Sequence, residues 1–227
     1  MHWCLLAVAV VSQHLVAQAI NETLDAADAR WHGAKVIADG RTGGAAAFDG
    51  KASWIDVGRC PIDAARSFML TCAIRTKDGR FATPLIARDG EVLGLSLVIG
   101  REPGKISFEA WSWLSVRLLS RRRVDDGQWH LIEVAYDAAT GSAVLSIDGE
   151  AEAGARLGHG ASPKAELRLG NNIGTDQPFH GDLDQVRIEA KDARSERHKL
   201  FVPTGDPIKL AAALARVRGR ATAAPPF

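Results

Sequence analysis

Residues 126–149 read DGQWHLIEVAYDAATGSAVLSIDG, and their spacing decides the fold. Asp126-Gly127 is a turn pair. His130, Ile132, Val134 and Tyr136 then alternate with Trp129, Leu131, Glu133 and Ala135, the period of two that gives a strand two unlike faces. Thr140-Gly141 turns the chain, residues 143–147 alternate again, and Asp148-Gly149 is a second turn pair suited to a tight hairpin.

The same grammar extends in both directions. Residues 35–38, 45–48, 52–57, 67–76, 83–88, 92–99, 105–116, 165–169 and 182–190 read as strands. Turn pairs such as Asp39-Gly40, Asp49-Gly50, Asp78-Gly79 and Asp89-Gly90 separate many of them. In 67–76, Phe68, Leu70, Cys72 and Ile74 face one way, and Met69, Thr71, Ala73 and Arg75 the other. About a dozen short strands at this density predict an all-β, antiparallel two-sheet β-sandwich of the jelly-roll kind, here over residues 35–190. No Gly-x-Gly-x-x-Gly crossover competes with it.

The ends differ from this middle. Residues 1–19 have the form of a signal peptide: 5–11 are unbroken apolar residues and Ala17-Gln18-Ala19 is a small-x-small cleavage pattern, although only His2, and no Lys or Arg, precedes the run. The run is too short to span a bilayer. Residues 20–34 form a polar, weakly helical segment containing an Asn21-Glu22-Thr23 sequon. Residues 191–227 read as a charged linker, a short C-terminal helix with Leu210, Leu214 and Val217 at helical spacing, and a loose tail. That helix either packs on the sandwich or docks a partner.

The whole chain has 227 residues, 28 basic and 27 acidic. This suits one ordinary domain with end segments, and such a balance calls for neither nucleic acid nor an anionic surface as partner. Of the three cysteines, Cys4 precedes the apolar run. Cys60 and Cys72 fit either a disulfide of an exported protein or buried thiols, and the position of Cys72 on the apolar side of its strand tilts toward the thiol.

Residues 179–188 read FHGDLDQVRI and residues 48–57 read FDGKASWIDV. Taken in order with the Asp-Gly-x-Trp-His segment, they resemble the laminin-G-like, concanavalin A-like lectin domains. The resemblance implies a recognition module outside the cytoplasm that binds carbohydrate or an extracellular protein. It implies that Trp129 and His130 serve the fold. It also implies a structural calcium held by Asp184 with backbone carbonyls from near the start of the domain, where Asp39 and Asp49 are further candidates.

Residues 105–116 carry the candidate ligand site. Ile106, Phe108, Ala110 and Ser112 form a core face; Ser107, Glu109, Trp111, Trp113 and Ser115 form the opposite one. Two tryptophans beside a carboxylate are either packing or a platform on which sugar rings stack while polar neighbours take the hydroxyls. Arg117 and the run Arg121-Arg122-Arg123 are either a patch for an acidic polysaccharide or a solvated loop. Catalytic signatures are missing: no Glu-x-Asp-x-x-Glu run, no Gly-x-Ser-x-Gly, no His-Glu-x-x-His. A distant carboxylate pair such as Glu109 and Glu133 is the remaining enzymatic option.

The expectation is an exported, non-catalytic recognition module with Trp111, Trp113, Glu109 and Arg117 on the ligand and Asp184 on calcium. A divergent glycoside hydrolase or polysaccharide lyase on the same sandwich, and an assembly protein docking through its C-terminal helix, are the alternatives.

Overall fold

The alternating segments form strands because each buries one face and leaves the other outside. The computed structural model describes residues 19–22, 24, 30–62, 66–90, 92–110, 117–157, 164–173 and 176–191. The expected signal peptide (but for Ala19) and the C-terminal helix lie outside them. Among the described residues fifteen strands, numbered along the chain, make two sheets, with all strand pairings antiparallel.

The eight-stranded sheet runs β13 (Glu150–Arg156), β12 (Ser142–Ile147), β11 (Trp129–Asp137), β6 (Ser67–Arg75), β15 (His180–Lys191), β4 (Ala45–Asp49), β3 (Lys35–Ile37). Its eighth strand, β1 (Ala19–Glu22), pairs with β15 beyond the end of β4. The seven-stranded sheet runs β10 (Arg117–Arg123), β9 (Lys105–Ala110), β8 (Val92–Ile99), β7 (Ala82–Asp89), β14 (Glu166–Leu169), β5 (Trp54–Arg59), β2 (Trp31–His32). Among the described residues no helix is present and none could cross a membrane.

The interior is one apolar layer. Phe68, Leu70, Cys72 and Ile74 of β6 are buried, as their alternation predicts, and so are Ile132, Val134 and Tyr136 of β11. Across the gap Leu95, Leu97 and Ile99 of β8 and Ile106 and Phe108 of β9 close the layer. Phe68 joins the sheets: its ring stacks on Tyr136 at 5.2 Å and meets Phe108 at 6.4 Å. Truncating a ring so placed costs about 3–5 kcal/mol.

Three segments differ from the sequence reading. The polar segment 20–34 is no weak helix where it is described: β1 and β2 join opposite sheets, and Leu24 is buried. Pairing with β15 and β5 overrides the segment's local preference. The basic cluster is no loop: Arg117 and Arg121-Arg122-Arg123 bound β10. β13, with the unpromising sequence EAEAGAR, is also a strand. Glu152 of β13 explains both. Its side chain, 2% exposed, accepts the backbone N–H groups of Arg121 at 2.8 Å and Arg122 at 3.1 Å, and the Arg122 Nε at 2.7 Å. One carboxylate thereby stitches the edges of the two sheets together, through charge-assisted bonds.

The Asp-Gly-x-Trp-His segment is a clamp. His130 Nδ1 lies 2.8 Å from Asp148 Oδ2, and Nε2 lies 3.1 Å from Asp126 Oδ1. Asp148 also accepts the Leu131 N–H at 2.8 Å, and Asp148-Gly149 close the β12–β13 hairpin with φ of 51° and 83°. Burial opposes protonation of His130, but the hydrogen bonds and charges of Asp148 and Asp126 outweigh it and hold the imidazole above its usual value of 6.5. The native state therefore binds this proton more tightly than the unfolded chain does. The stabilisation is complete below the unfolded value and is lost as pH rises through the raised native one. We expect wild type to exceed His130→Gln by about 1 kcal/mol or less at pH ~5.5, and by less again at pH ~8.5. Urea unfolding of both proteins at the two pH values measures it; a difference that grows with pH contradicts the clamp.

Candidate functional site

Alternation sends Ser107 and Glu109 of β9 to the outer side of the seven-stranded sheet, opposite the buried Ile106 and Phe108. Glu109 sits directly across from Arg117 on β10 and from Ser96 on β8. Its carboxylate, 16% exposed, is gripped by Arg101 in a two-pronged pair, Nε at 2.8 Å and a terminal nitrogen at 3.0 Å. The Ser107 hydroxyl lies 3.3 Å from the same carboxylate. Glu109 is thus a fixed acceptor, and Arg117 beside it is exposed. Trp111 and Trp113 lie outside the described residues.

Farther along the basic cluster, few charges are free to attract an anion. Arg121 and Arg122 hold Glu152, and Arg123 pairs with Asp125 at 2.5 Å. Sequence reasoning missed these partners because they come from a different sheet edge and a neighbouring turn.

Glu109 and Glu133 cannot serve as a catalytic pair. Glu133 lies between the buried Ile132 and Val134 and faces outward from the eight-stranded sheet, while Glu109 faces outward from the other. The two side chains leave opposite sides of a sandwich whose sheets alone are about 10 Å apart, too far to flank one glycosidic bond.

Asp184 lies at a bulge in β15, where the ladder with β6 shifts between Asp184 and Arg187 and Gln185 takes a φ of 51°. Here the edge of β15 stops pairing with β4 and starts pairing with β1. The Asp184 side chain is fully buried, accepting the Thr42 N–H at 3.0 Å and the Gln185 N–H at 2.6 Å. Gln185 bonds back to Thr42 and Arg41, so the loop at 38–44 is tied down over the bulge. No arginine or lysine pairs with Asp184 among the described residues. A buried carboxylate of this kind fits calcium chemistry, but backbone carbonyls would have to complete the shell, because no group of three or more His, Cys, Asp or Glu able to hold a metal occurs among the described residues. Asp39 and Asp49 are engaged elsewhere: Asp39 with Arg75 at 2.7 Å, Asp49 with the N–H groups of Lys51 and Ala52 and the Ser53 hydroxyl.

Cys60 and Cys72 are both buried free thiols. Burial pushes the Cys60 thiol up to about 11 and Cys72 higher still, so neither is poised as a nucleophile.

Two clusters escaped the sequence reading. On the outer side of the seven-stranded sheet, Trp54 stacks on His32 at 4.7 Å and is approached by Arg168, while Asp56 bonds Arg168 at 2.8 Å and Trp54 Nε1 at 3.2 Å. At the end of the other sheet a cleft of about 760 Å³ opens above the row Arg75, Asp182 and Ala47. Arg75 is fixed there by Asp182, at 2.8 Å, and by Asp39, and lies 4.7 Å from the Trp129 ring. Each cluster joins residues far apart in sequence, which only sheet register brings together.

A laminin-G family profile, described as the concanavalin A-like lectin/glucanases superfamily, matches residues 49–197, and this chain belongs to that family. No curated protein matches it. Among solved structures, domain 4 of AbnA, an extracellular arabinanase from Geobacillus stearothermophilus, in complex with arabinotriose, superposes with a TM-score of 0.57 at 19% identity, covering 87% of each chain. A mutant Trypanosoma rangeli sialidase displaying trans-sialidase activity reaches 0.54 at 10% identity, over 75% of this chain and 30% of that one. A candidate carbohydrate-binding protein from Bacteroides ovatus reaches 0.52 at 20% identity, over 63% of this chain and 42% of that one. At these identities the likeness is one of fold.

The Asp184 geometry makes a direct prediction. Asp184→Asn turns one acceptor into a donor facing a buried N–H, and should cost about 1–3 kcal/mol in urea unfolding. A cost well below that range would mean the bulge holds without the carboxylate.

Proposed function

We propose that this chain is an exported, non-catalytic carbohydrate-recognition domain that takes a polysaccharide or glycan on the outer side of its seven-stranded sheet. The observation that carries the reading is the pairing of a rigid acceptor with an exposed donor: Glu109, locked by Arg101, lies directly across the ladder from Arg117. A carboxylate whose orientation is already fixed loses little entropy on accepting sugar hydroxyls. Trp111 and Trp113 follow Glu109 by two and four residues in the sequence, and their indole faces would take the C–H side of a pyranose or furanose. The arabinotriose carried by the AbnA domain supports carbohydrate as the ligand class and makes that trisaccharide the first probe to try.

The separation of Glu109 from Glu133 favours binding over hydrolysis. Export is supported by the cleavage pattern at 17–19 and by a fold shared with an extracellular enzyme's domain. A calcium ion at Asp184 belongs to the same proposal. There it would neutralise a buried carboxylate and brace the loop at 38–44, away from the ligand face.

Calorimetric titration against arabino-, xylo-, gluco- and uronic-acid oligosaccharides tests the site. Trp111→Ala and Trp113→Ala should each weaken retention about tenfold while shifting the melting temperature little. A large stability loss in both, with no glycan retained by wild type, would sink the reading. Turnover of any of these substrates, abolished by Glu109→Gln, would instead make the domain an enzyme. For the metal, a chelator should lower the melting temperature by about 5 °C, with calcium rather than magnesium restoring it. An unchanged melting curve removes calcium from the proposal.

A further inference from the structure

The cleft at the end of the eight-stranded sheet has the chemistry of a second binding site. Its polar wall is held rigid by the protein. Arg75 Nε donates to Asp182 at 2.8 Å, and its two terminal nitrogens donate to the Asp39 carboxylate at 2.7 Å and the Asp39 carbonyl at 3.0 Å. Trp129 lies against the guanidinium from the neighbouring strand. Thr76 donates to the His180 carbonyl at 2.6 Å and accepts the Asp78 N–H at 2.9 Å, which joins the chain leaving β6 to the start of β15. The close approach of these strands requires glycine at 181: a Cβ there would lie 2.5 Å from the Arg75 carbonyl oxygen.

Hydrogen-bonding capacity remains unspent on that wall. A guanidinium has five N–H groups, so Arg75 keeps two after its three bonds. Asp182 spends Oδ2 on Arg75, and Oδ1 has no protein partner among the described residues. Lys77 is exposed and forms no ion pair among them, its stem lying over Gly127. The His180 ring is 60% exposed, with Nδ1 at 3.7 Å from Asp78. Donors and acceptors therefore converge on one cavity.

The charges nearly cancel. Arg75 is matched by Asp182 and Asp39, and Asp78 by Arg80 at 2.6 Å, which leaves Lys77 and the His180 ring. An anionic ligand would meet the spare oxygen of Asp182 and the carboxylate of Asp78 in the same wall. A neutral ligand carrying adjacent hydroxyls meets no such repulsion. Its hydroxyl hydrogens suit Asp182, and its oxygens suit Arg75 and Lys77.

We propose that this cleft is a second carbohydrate site, reading adjacent hydroxyls of a neutral sugar. It shares the ligand class of the reading above but not its residues or its side of the molecule. The two sites face outward from opposite sheets, so one domain could engage two chains, or two points of one chain, and gain avidity.

The test uses the whole protein, with Lys77→Ala/His180→Ala and Trp111→Ala/Trp113→Ala as paired variants. Neutral arabino-, xylo-, gluco- and manno-oligosaccharides, with oligouronates as the anionic control, are titrated while amide and indole N–H signals are followed by NMR. The expected result is that one or more of these sugars shifts the Trp129 indole and the Asp182 amide. Lys77→Ala/His180→Ala should weaken that response about tenfold, with an unchanged melting temperature because both side chains are exposed. Trp111→Ala/Trp113→Ala should leave it intact, even where it abolishes binding on the other sheet. If only the tryptophan variant loses binding and the rim signals never move, the second site is wrong and the first stands. If the rim responds and the tryptophan variant binds as wild type does, the reverse holds. A rim that ignores every neutral sugar, or prefers oligouronates with a steep salt dependence, overturns the proposal.

Discussion

The apolar layer between the sheets governs the rest of the molecule. Phe68 contacts Tyr136 on its own sheet and Phe108 on the other, so strand register is decided by which residues can enter that layer. A slip by one residue would turn Arg75 inward and Ile74 outward, and burying an unpaired guanidinium costs far more than any outer-face contact returns. Once Ile74, Leu183 and Phe48 are inside, Arg75, Asp182 and Ala47 have no choice but to share the outer row. Once Phe108 is inside, Glu109 must face away from the core. Both candidate ligand surfaces are consequences of core packing.

Edges and irregularities add what a regular sandwich lacks. Glu152 spans from β13 to β10 and satisfies backbone groups that would otherwise lie at a sheet edge. Asp184 sits where β15 changes partner from β4 to β1, and it fills the gap in pairing with two amide bonds from a loop and a bulge. Both are buried carboxylates serving backbone N–H groups. They differ in that Glu152 has an arginine beside it and Asp184 has no cationic side chain among the described residues. At Asp184 the proposed calcium would supply the positive charge that Arg122 supplies to Glu152.

Much of the fold was legible because a half-buried strand announces itself by period. The alternation of Phe68, Leu70, Cys72 and Ile74 against Met69, Thr71 and Arg75 emerged intact, as did the turn at Asp148-Gly149. β10 and β13 were not legible. RLLSRRR and EAEAGAR carry little apolar alternation, since their stability comes from Arg122 and Glu152 meeting across a sheet boundary. β1 and β2 were missed for a related reason: segments of four and two residues are too short to show a period and exist because a partner edge is waiting.

The sequence alone determined the architecture class and the outward direction of Glu109. Both follow from spacing along one strand or turn, where geometry is local; Trp129, His130 and Asp184 stood out only through the resemblance to laminin-G-like domains. Tertiary structure decided the rest: that Glu109 is held by Arg101 and faces Arg117, that Glu133 is on the far side, that the arginine run is largely spent on carboxylates, and that Arg75, Lys77, His180 and Asp182 line one cleft. Those are relations between strands far apart in the chain, and only the order and register of the sheets bring them together.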